Sequence, residues 1–266
     1  MNNSHLSLEV LISCMNERDR SIISRSNIQC NAIVVNQCDE ERVDEWSFDN
    51  VKGEVCHVKM IYTKERGLSR SRNMAIRNAT GDICLICDDD ELFRNDYPET
   101  IVKVFKNNPN YDIIAFNLDS PGHNYPSYEE DISYWKAGKL SSWQIAFRRI
   151  DKITSIQFNE LMGSGIGNGG GEENKFLIDC LAKGIKIRYV PSLIGKVAQK
   201  ESLWFHGFDK KYWVNRGWIA KMIFGNVKSI IYILGQVLLR VHDVDKKNSP
   251  IKILFWMLRG WGETRK

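Results

Sequence analysis

Nowhere does this 266-residue chain run apolar for the roughly 18 to 20 residues that a membrane-spanning helix needs. It has no internal repeat and no low-complexity tract, which sets aside repeat arrays and disordered linkers. The polar start Met1-Asn2-Asn3-Ser4-His5 lacks a secretory apolar region. Its seven cysteines are odd in number and show no disulfide-like spacing. The expectation from these absences is a cytoplasmic protein with reduced thiols. Cys84-Leu85-Ile86-Cys87 does match C-x-x-C, but on a strand positions i and i+3 point to opposite faces, so the two read as small buried hydrophobes. Hydrophobic residues make up 43% of the chain, enough for one large core, or one core with an appendage.

The net charge of +4 hides an asymmetry. From Lys196 onward there are fourteen Lys and Arg against five Asp and Glu, which leaves 23 against 28 in the preceding part. In the same tail, apolar stretches 218–224, 229–241 and 251–261 are interspersed with Lys221, Lys228, Arg240, Lys246, Lys247, Lys252 and Arg259. Basic amphipathic helices of this kind lie on an anionic membrane leaflet. The competing reading packs them on the rest of the chain or in an oligomer interface. Apolar stretches favour lipid or protein partners over nucleic acid.

The most informative feature is Asp88-Asp89-Asp90-Glu91, which follows the apolar run Ile83-Cys84-Leu85-Ile86-Cys87. That run is short, opens after Thr80-Gly81, and reads as a buried strand. Four carboxylates at its exit repel one another unless a positive group sits among them. A hard divalent cation suits them, and strand carboxyl ends are where open α/β sheets take ligands. The alternative is that Asp89, Asp90 and Glu91 open a helix near Leu92. Upstream, Leu68, Ala75, Ile76 and Ala79 share one helical face, with Arg66, Arg70, Arg72 and Arg77 over the rest. A basic helix leading into an acidic strand end suits a metal-bound diphosphate, because arginine forks phosphate oxygens.

In order and spacing, Gly67, Ser71-Arg72-Asn73, Thr80-Gly81-Asp82 and Asp88-Asp89-Asp90-Glu91 resemble the central signature of the family 2 glycosyltransferases. The resemblance implies an α/β GT-A fold, a Rossmann-like α/β/α sandwich with a mostly parallel mixed sheet, and a nucleotide-diphospho-sugar donor. It places Asp88 at the ribose and diphosphate, with Asp88 and Asp90 on Mg²⁺ or Mn²⁺. Asp89 and Arg72 lie near the nucleotide. Strands are expected at 8–14, 32–36, 54–62 and 111–117. In such enzymes the loop after the first strand holds the base, which points to Asn16, and an acid after the second strand reaches uracil or ribose, which points to Asp39. Asp39 also reads as a loop acid capping a helix. The stretch 119–139 is a loop beside the site, with Tyr125, Tyr128, Tyr134 and Trp135 available to stack on sugars or to pack.

Gly165, Gly167 and Gly170 fit G-x-G-x-x-G, but no strand immediately precedes them and acids follow at once, so the dinucleotide fingerprint is rejected. Glu172 and Glu173 begin a helix with Phe176, Leu177, Cys180 and Leu181 on its apolar face, ended by Gly184. Family members carry Glu-Asp here, the second acid being the general base. The resemblance thus implies Glu173 as base and Glu172 in support, with the reverse open because this chain has Glu-Glu. Both acids also suit a helix N-terminus. A strand is expected at 186–191. His206 is a candidate metal ligand, or a packed residue in an aromatic cluster. Arg216-Gly217-Trp218 lacks the Gln-x-x-Arg-Trp of processive synthases, which favours transfer of one sugar.

Residues 1–215 are expected to form the catalytic domain and 216–266 a basic amphipathic helical appendage. The expected activity is inverting hexosyl transfer, with UDP as the nucleotide, to a glycan or lipid-linked acceptor in bacterial surface polysaccharide assembly. It would occur at the inner face of the cell membrane, through a peripheral contact of the tail and with no nucleic-acid partner. Two other readings stand beside it. A sugar nucleotidyltransferase needs a Gly-rich basic loop after the first strand, where Ser13-Cys14-Met15-Asn16-Glu17 offers none. A non-catalytic nucleotide-sugar-binding or membrane scaffold predicts a broken acidic motif or no base, and both are present.

Overall fold

The two most apolar runs of the N-terminal half lie side by side at the centre of one sheet. β1 (Leu8–Met15) and β5 (Ile83–Asp88) pair in parallel, with Leu8 opposite Ile83 and Ser13 opposite Asp88, and both are buried nearly throughout. Burial on both faces is what a continuous apolar strand reports, as opposed to an alternating one. The computed structural model describes residues 6–120, 122–198, 207–239 and 247–265. Its sheet has ten strands. On one side of β1 come β2 (Asn31–Gln37), β4 (Val55–Thr63) and, at the edge, β3 (Arg42–Asp49). On the far side of β5 come β9 (Ile145–Arg148), β7 (Ile113–Asp119), β10 (Ile187–Val197) and β6 (Glu91–Phe93), with the short β8 (Glu130–Asp131) paired to β10.

The block β4-β2-β1-β5 is parallel, as is β7 with β10. β3, β6, β8 and β9 pair antiparallel. The expected strands at 8–14, 32–36, 54–62 and 111–117 correspond to β1, β2, β4 and β7, and the one at 186–191 opens the longer β10. β3, β6 and β9 had no counterpart in the sequence reading. β3 is a charged, half-exposed edge strand with weak alternation. β6 replaces the helix considered near Leu92: Glu91 and Phe93 turn inward as a strand against β10, and the next helix starts only at Tyr97.

Helices cover both faces, so the sheet is the middle layer of an α/β/α sandwich. On one face Ile22 and Ile23 of α1 (Ile22–Arg25) and Tyr97, Ile101 and Phe105 of α3 (Tyr97–Asn107, with α2, Leu68–Asn78, intervening in the chain) join Val10, Ile12, Leu85 and Cys87. On the other face Ala75 and Ile76 of α2, residues of the short α4 (Tyr134–Ala137) and α5 (Asp151–Thr154), and Phe176 and Leu177 of α6 (Glu172–Ala182) join Leu11, Ile33, Cys84 and Ile86. Cys84 and Cys87 therefore sit in separate cores, as a strand requires, and both are free.

The tail belongs to the second of these cores. In α7 (Lys210–Leu239), Trp218, Ile219, Ala220 and Ile223 are buried with the residues of α6. The expected domain division at 215/216 falls inside α7. By length and composition, α7 is the one described helix long and apolar enough to cross a membrane, a run longer than the separate stretches marked in the sequence. However, Gly225 (φ 70°, ψ −172°) breaks it into two pieces, each shorter than the ~20 residues a span needs. Arg216 donates to the Tyr232 hydroxyl at 3.2 Å, and Phe224 and Tyr232 rings lie 4.8 Å apart, so the second piece folds back on the first. α8 (Pro250–Gly262) crosses α7 at two glycines. A Cβ on Gly217 would stand 1.9 Å from the Met257 carbonyl oxygen, and one on Gly260 1.8 Å from that of Val214. Gly217→Ala is accordingly expected to cost at least ~1–3 kcal/mol, the usual range for overpacking. Denaturant unfolding checks this, and wild-type stability would refute the close crossing.

Candidate active site

Chain order sets the location. From β1 the chain winds outward to β2 and β4, then returns to the other side of β1 as β5. The crevice at the carboxyl ends of β1 and β5 is the switch point where open α/β sheets take ligands. Met15 and Asp88 mark those two ends.

The signature residues around it divide into supports and groups facing the crevice. Glu9 is buried at the start of β1, and its carboxylate accepts the backbone N–H of Thr80 (2.6 Å) and of Gly81 (3.0 Å). Asp82 accepts the N–H and hydroxyl of Ser7 at 2.9 and 2.7 Å, which holds its carboxyl below the ordinary range. Thr80-Gly81-Asp82 thus fastens the starts of β1 and β5 together, far from their functional ends. Asn73 is another support: its amide oxygen accepts the Phe158 N–H (2.8 Å) and its nitrogen donates to the Phe158 carbonyl (3.0 Å). Ser71 donates to the Ser13 hydroxyl at 2.9 Å, and Gly67 N–H to Gln37 at 2.7 Å.

Arg72 is the group these supports position. It is 2% exposed, although charged helix residues usually reach solvent. Its Nη2 donates to both Asp88 oxygens (2.8 and 3.0 Å) and its Nη1 to Glu172 (2.9 Å). Its guanidinium lies 5.5 Å from the centre of the Phe158 ring, which in turn stacks on Phe176. Burial pulls its pKa down, but Asp88 and then Glu172 outweigh that and hold it above its ordinary value. One cation thus joins the end of β5 to the start of α6, two acids 84 positions apart in sequence. Ser142 adds a hydrogen bond to Asp88 at 3.1 Å, from a segment with no sequence signal for this role. Glu91 is buried behind them. It accepts the Asp88 N–H (2.9 Å), its other oxygen has no hydrogen-bond partner, and burial and then Asp88 push its carboxyl well above the usual range.

Glu173 sits beside Glu172 in the first turn of α6. Burial and then Glu172 raise its pKa to about 8. The N-cap of α6 is Gly171, at φ 81°, where a Cβ would stand 2.8 Å from Ile219 of α7. Only glycine both adopts that backbone readily and admits the tail so close. Asn215 donates to the Gly169 carbonyl at 3.0 Å, and Arg265 donates to Asn168 (2.9 Å) and Asn215 (2.5 Å). The tail therefore clamps the glycine-rich loop and the base of α6. Arg216, noted in the sequence only for a missing motif, is near enough to Glu173 that the acid helps raise its pKa, after Tyr232 and Tyr212 and against burial.

Around the end of β2 a cleft of ≈ 500 Å³ is lined by Asn16, Glu17, Arg18, Cys38, Asp39, Glu40, Arg42 and Tyr62. It unites Asn16 and Asp39, the two residues expected at the nucleotide base. Asn16 has φ 54°, and Asn36 holds the neighbouring Glu17 by its N–H (3.0 Å) and carbonyl (2.8 Å). The Asp39 side chain is 97% exposed and accepts from Arg66 at 2.6 Å. Tyr62 underlies Arg42, its ring 3.5 Å from the guanidinium. Of the aromatic candidates, Tyr128 and Trp135 are exposed, whereas Tyr134 packs on Phe224 and Tyr125 lies near Trp143.

Asp89 and Asp90 form the half-buried turn after β5, and the Asp90 carbonyl accepts the Ala198 N–H at 2.6 Å. His206 lies outside the described residues. Among the described residues no three His, Cys, Asp or Glu side chains converge into a metal cage. Mg²⁺-type sites commonly need only one or two carboxylates, the rest coming from substrate phosphates and water. The half-buried carboxylates Asp88 to Asp90 supply the oxygen donors that such an ion takes, with both Asp88 oxygens also accepting from Arg72.

The fold has solved relatives. A crystal structure of S. aureus TarS 1-349 in complex with UDP-GlcNAc superposes with a TM-score of 0.60 at 12% identity, covering 91% of this chain and 74% of that one. The same protein in complex with UDP gives 0.58 at 12% identity, over the same shares. A further S. aureus TarS structure gives 0.58 at 13% identity, covering 91% of this chain and 45% of that one. These likenesses establish the fold, which is GT-A. Among curated proteins none matches the sequence. Residues 13–165 match the model of Glycosyl transferase family 2, a span that begins in β1 and takes in the acidic strand end and Arg72. The chain belongs to glycosyl transferase family 2 and is a glycosyltransferase.

Proposed function

We propose that the protein moves one sugar from a uridine-diphosphate sugar to a hydroxyl of a glycan or lipid-linked acceptor, with inversion. The observation that carries this reading is the buried Arg72, which links the acidic end of β5 to the Glu172-Glu173 pair. An acceptor hydroxyl needs a base close to the carboxylates that would hold a cation for the diphosphate, and Arg72 fixes these two sets of acids to one another across the crevice. The uridine nucleotide is supported by the cleft at Asn16 and Asp39 and by the UDP and UDP-GlcNAc bound to S. aureus TarS.

In the mechanism, Asn16 and Asp39 hold the base and ribose, and Asp88 and Asp89 orient the ribose and diphosphate. Asp88 and Asp90 are the residues that would hold Mg²⁺ or Mn²⁺, and such an ion when bound supplies Lewis-acid neutralisation of the leaving diphosphate. Glu173 takes the proton of the acceptor hydroxyl as its oxygen bonds to the anomeric carbon. The bond from that carbon to the diphosphate breaks with its electron pair leaving on phosphate oxygen. One displacement inverts the anomeric centre, as in the inverting carboxylate chemistry of glycosidases. Glu172, neutralised by Arg72, supports Glu173. The setting is surface polysaccharide assembly at the inner face of the bacterial membrane, with the tail in peripheral contact.

With Mg²⁺ or Mn²⁺ and a panel of nucleotide sugars, UDP should be released from one donor, and release should vanish in Asp90→Ala. If no donor is hydrolysed and calorimetry detects no donor binding with metal present, the transferase reading fails and a scaffold takes its place. The pH profile of kcat/KM should rise with pH through about 8, because Glu173 acts deprotonated. The stability contribution of the same proton runs the other way: complete below the ordinary value of 4.5, it is lost as pH rises through about 8. Glu173→Gln should abolish both dependences, and a flat rate profile in the wild type would rule Glu173 out as base. Arg72→Ala leaves two acids facing each other without their cation, and should lower unfolding free energy by about 3–5 kcal/mol in denaturant titration.

A further inference from the structure

α7 beyond Gly225 and α8 each bury one apolar row and expose another. In α7, Ile233 and Val237 face the core and Ser229 accepts the indole N–H of Trp261 at 2.8 Å. On its other side Val227, Ile231, Leu234 and Leu238 follow one another at helical spacing and are all exposed, Val227 and Leu238 by 76% and 75%. In α8, Ile253 and Met257 are buried while Ile251, Phe255 and Leu258 are exposed. A helix that only roofs a core turns polar residues outward. Two adjacent helices that turn apolar rows outward have a second surface to cover.

Charge identifies the partner. Neither Lys210–Leu239 nor Pro250–Gly262 contains an Asp or Glu. Lys228 lies one turn before Ile231, and Lys252 and Arg259 lie one turn either side of Phe255, so cations flank the apolar rows. Against a second copy of the chain these cations would meet their own kind. Against an anionic bilayer they meet headgroup phosphates while the apolar rows enter the acyl boundary. The first piece of α7, on which the second folds back, touches the site: Ile219 and Ile223 crowd Gly171, and Asn215, together with Arg265 just past α8, holds the glycine-rich loop.

We propose that the face formed by Val227, Ile231, Leu234 and Leu238 of α7 and Ile251, Phe255 and Leu258 of α8 docks on an anionic lipid bilayer. This holds the glycine-rich loop and the Glu172-Glu173 turn next to the lipid surface. The clause concerning the site rests on the transferase reading above, since a lipid-linked acceptor is what would benefit. The docking itself does not.

The test is co-sedimentation of the full chain with vesicles of phosphatidylcholine alone and of phosphatidylcholine mixed with phosphatidylglycerol. Binding should require the anionic lipid and weaken with salt. Ile231→Glu with Leu238→Glu should lower vesicle affinity at least tenfold, as should Phe255→Glu alone, with melting temperature and lipid-free UDP release unchanged. Absence of binding to anionic vesicles overturns the proposal. So does a wild-type dimer in light scattering that these substitutions dissociate, which would make the face an interface between copies. UDP release without vesicle binding removes the docking and leaves the transferase reading intact; the converse result removes only the latter.

Discussion

A guanidinium in the interior is the constraint around which the rest of this protein is arranged. Burying Arg72 is tolerable only because two carboxylates and an aromatic face meet it there, and each partner has to be delivered by a different part of the chain. β5 brings Asp88, α6 brings Glu172, and the loop before α6 brings Phe158, fixed by Asn73 next door on α2. Coulomb attraction in such surroundings is far stronger than at the surface, and so is the penalty for any partner out of place. The arrangement therefore gains geometric definition more than it gains stability. It also explains why α2 turns Ser69, Ser71, Arg72 and Asn73 inward, a polar face where helix patterning leads one to expect an apolar one.

The tail is integral to this arrangement. α7 abuts Gly171 at the N-cap of α6, and Arg265 near the chain's end holds the loop that leads there. A helix whose first turn carries two adjacent acids, one with its pKa raised to about 8, needs a rigid support if the two are to keep their separate environments. Crossing of backbones at Gly217 and Gly260 gives the support its stiffness, because close contacts between main chains leave little room to slide.

How far the sequence could be read follows from the range of the interactions concerned. β1, β2 and β5 announced themselves because burial on both faces leaves a continuous apolar run. α2 and α6 were legible from local spacing and from Gly67 and Gly184. The edge strand β3, with its exposed charges, and the three-residue β6 owe their form to pairing partners, Val55–Thr63 and the end of β10, that local pattern cannot name. Within the site, the residue types were legible and the pairings were not. That Arg72 would join Asp88 to Glu172, that Ser142 would reach Asp88, and that Arg66 would take hold of Asp39 are contacts between distant segments. The division near residue 215 came from a change in composition, whereas the chain continues its helix, and its core, straight through that point.

The Glu9 clamp on Thr80 and Gly81 has a bearing on how such chains are recognised. Thr80-Gly81-Asp82 is among the most conspicuous parts of the signature, yet it joins two strand starts at the end of the sheet away from the crevice. Its persistence in a sequence reports that the strands are correctly joined. A descendant that had lost all turnover would still need that joint to fold, and would still bear the family's mark.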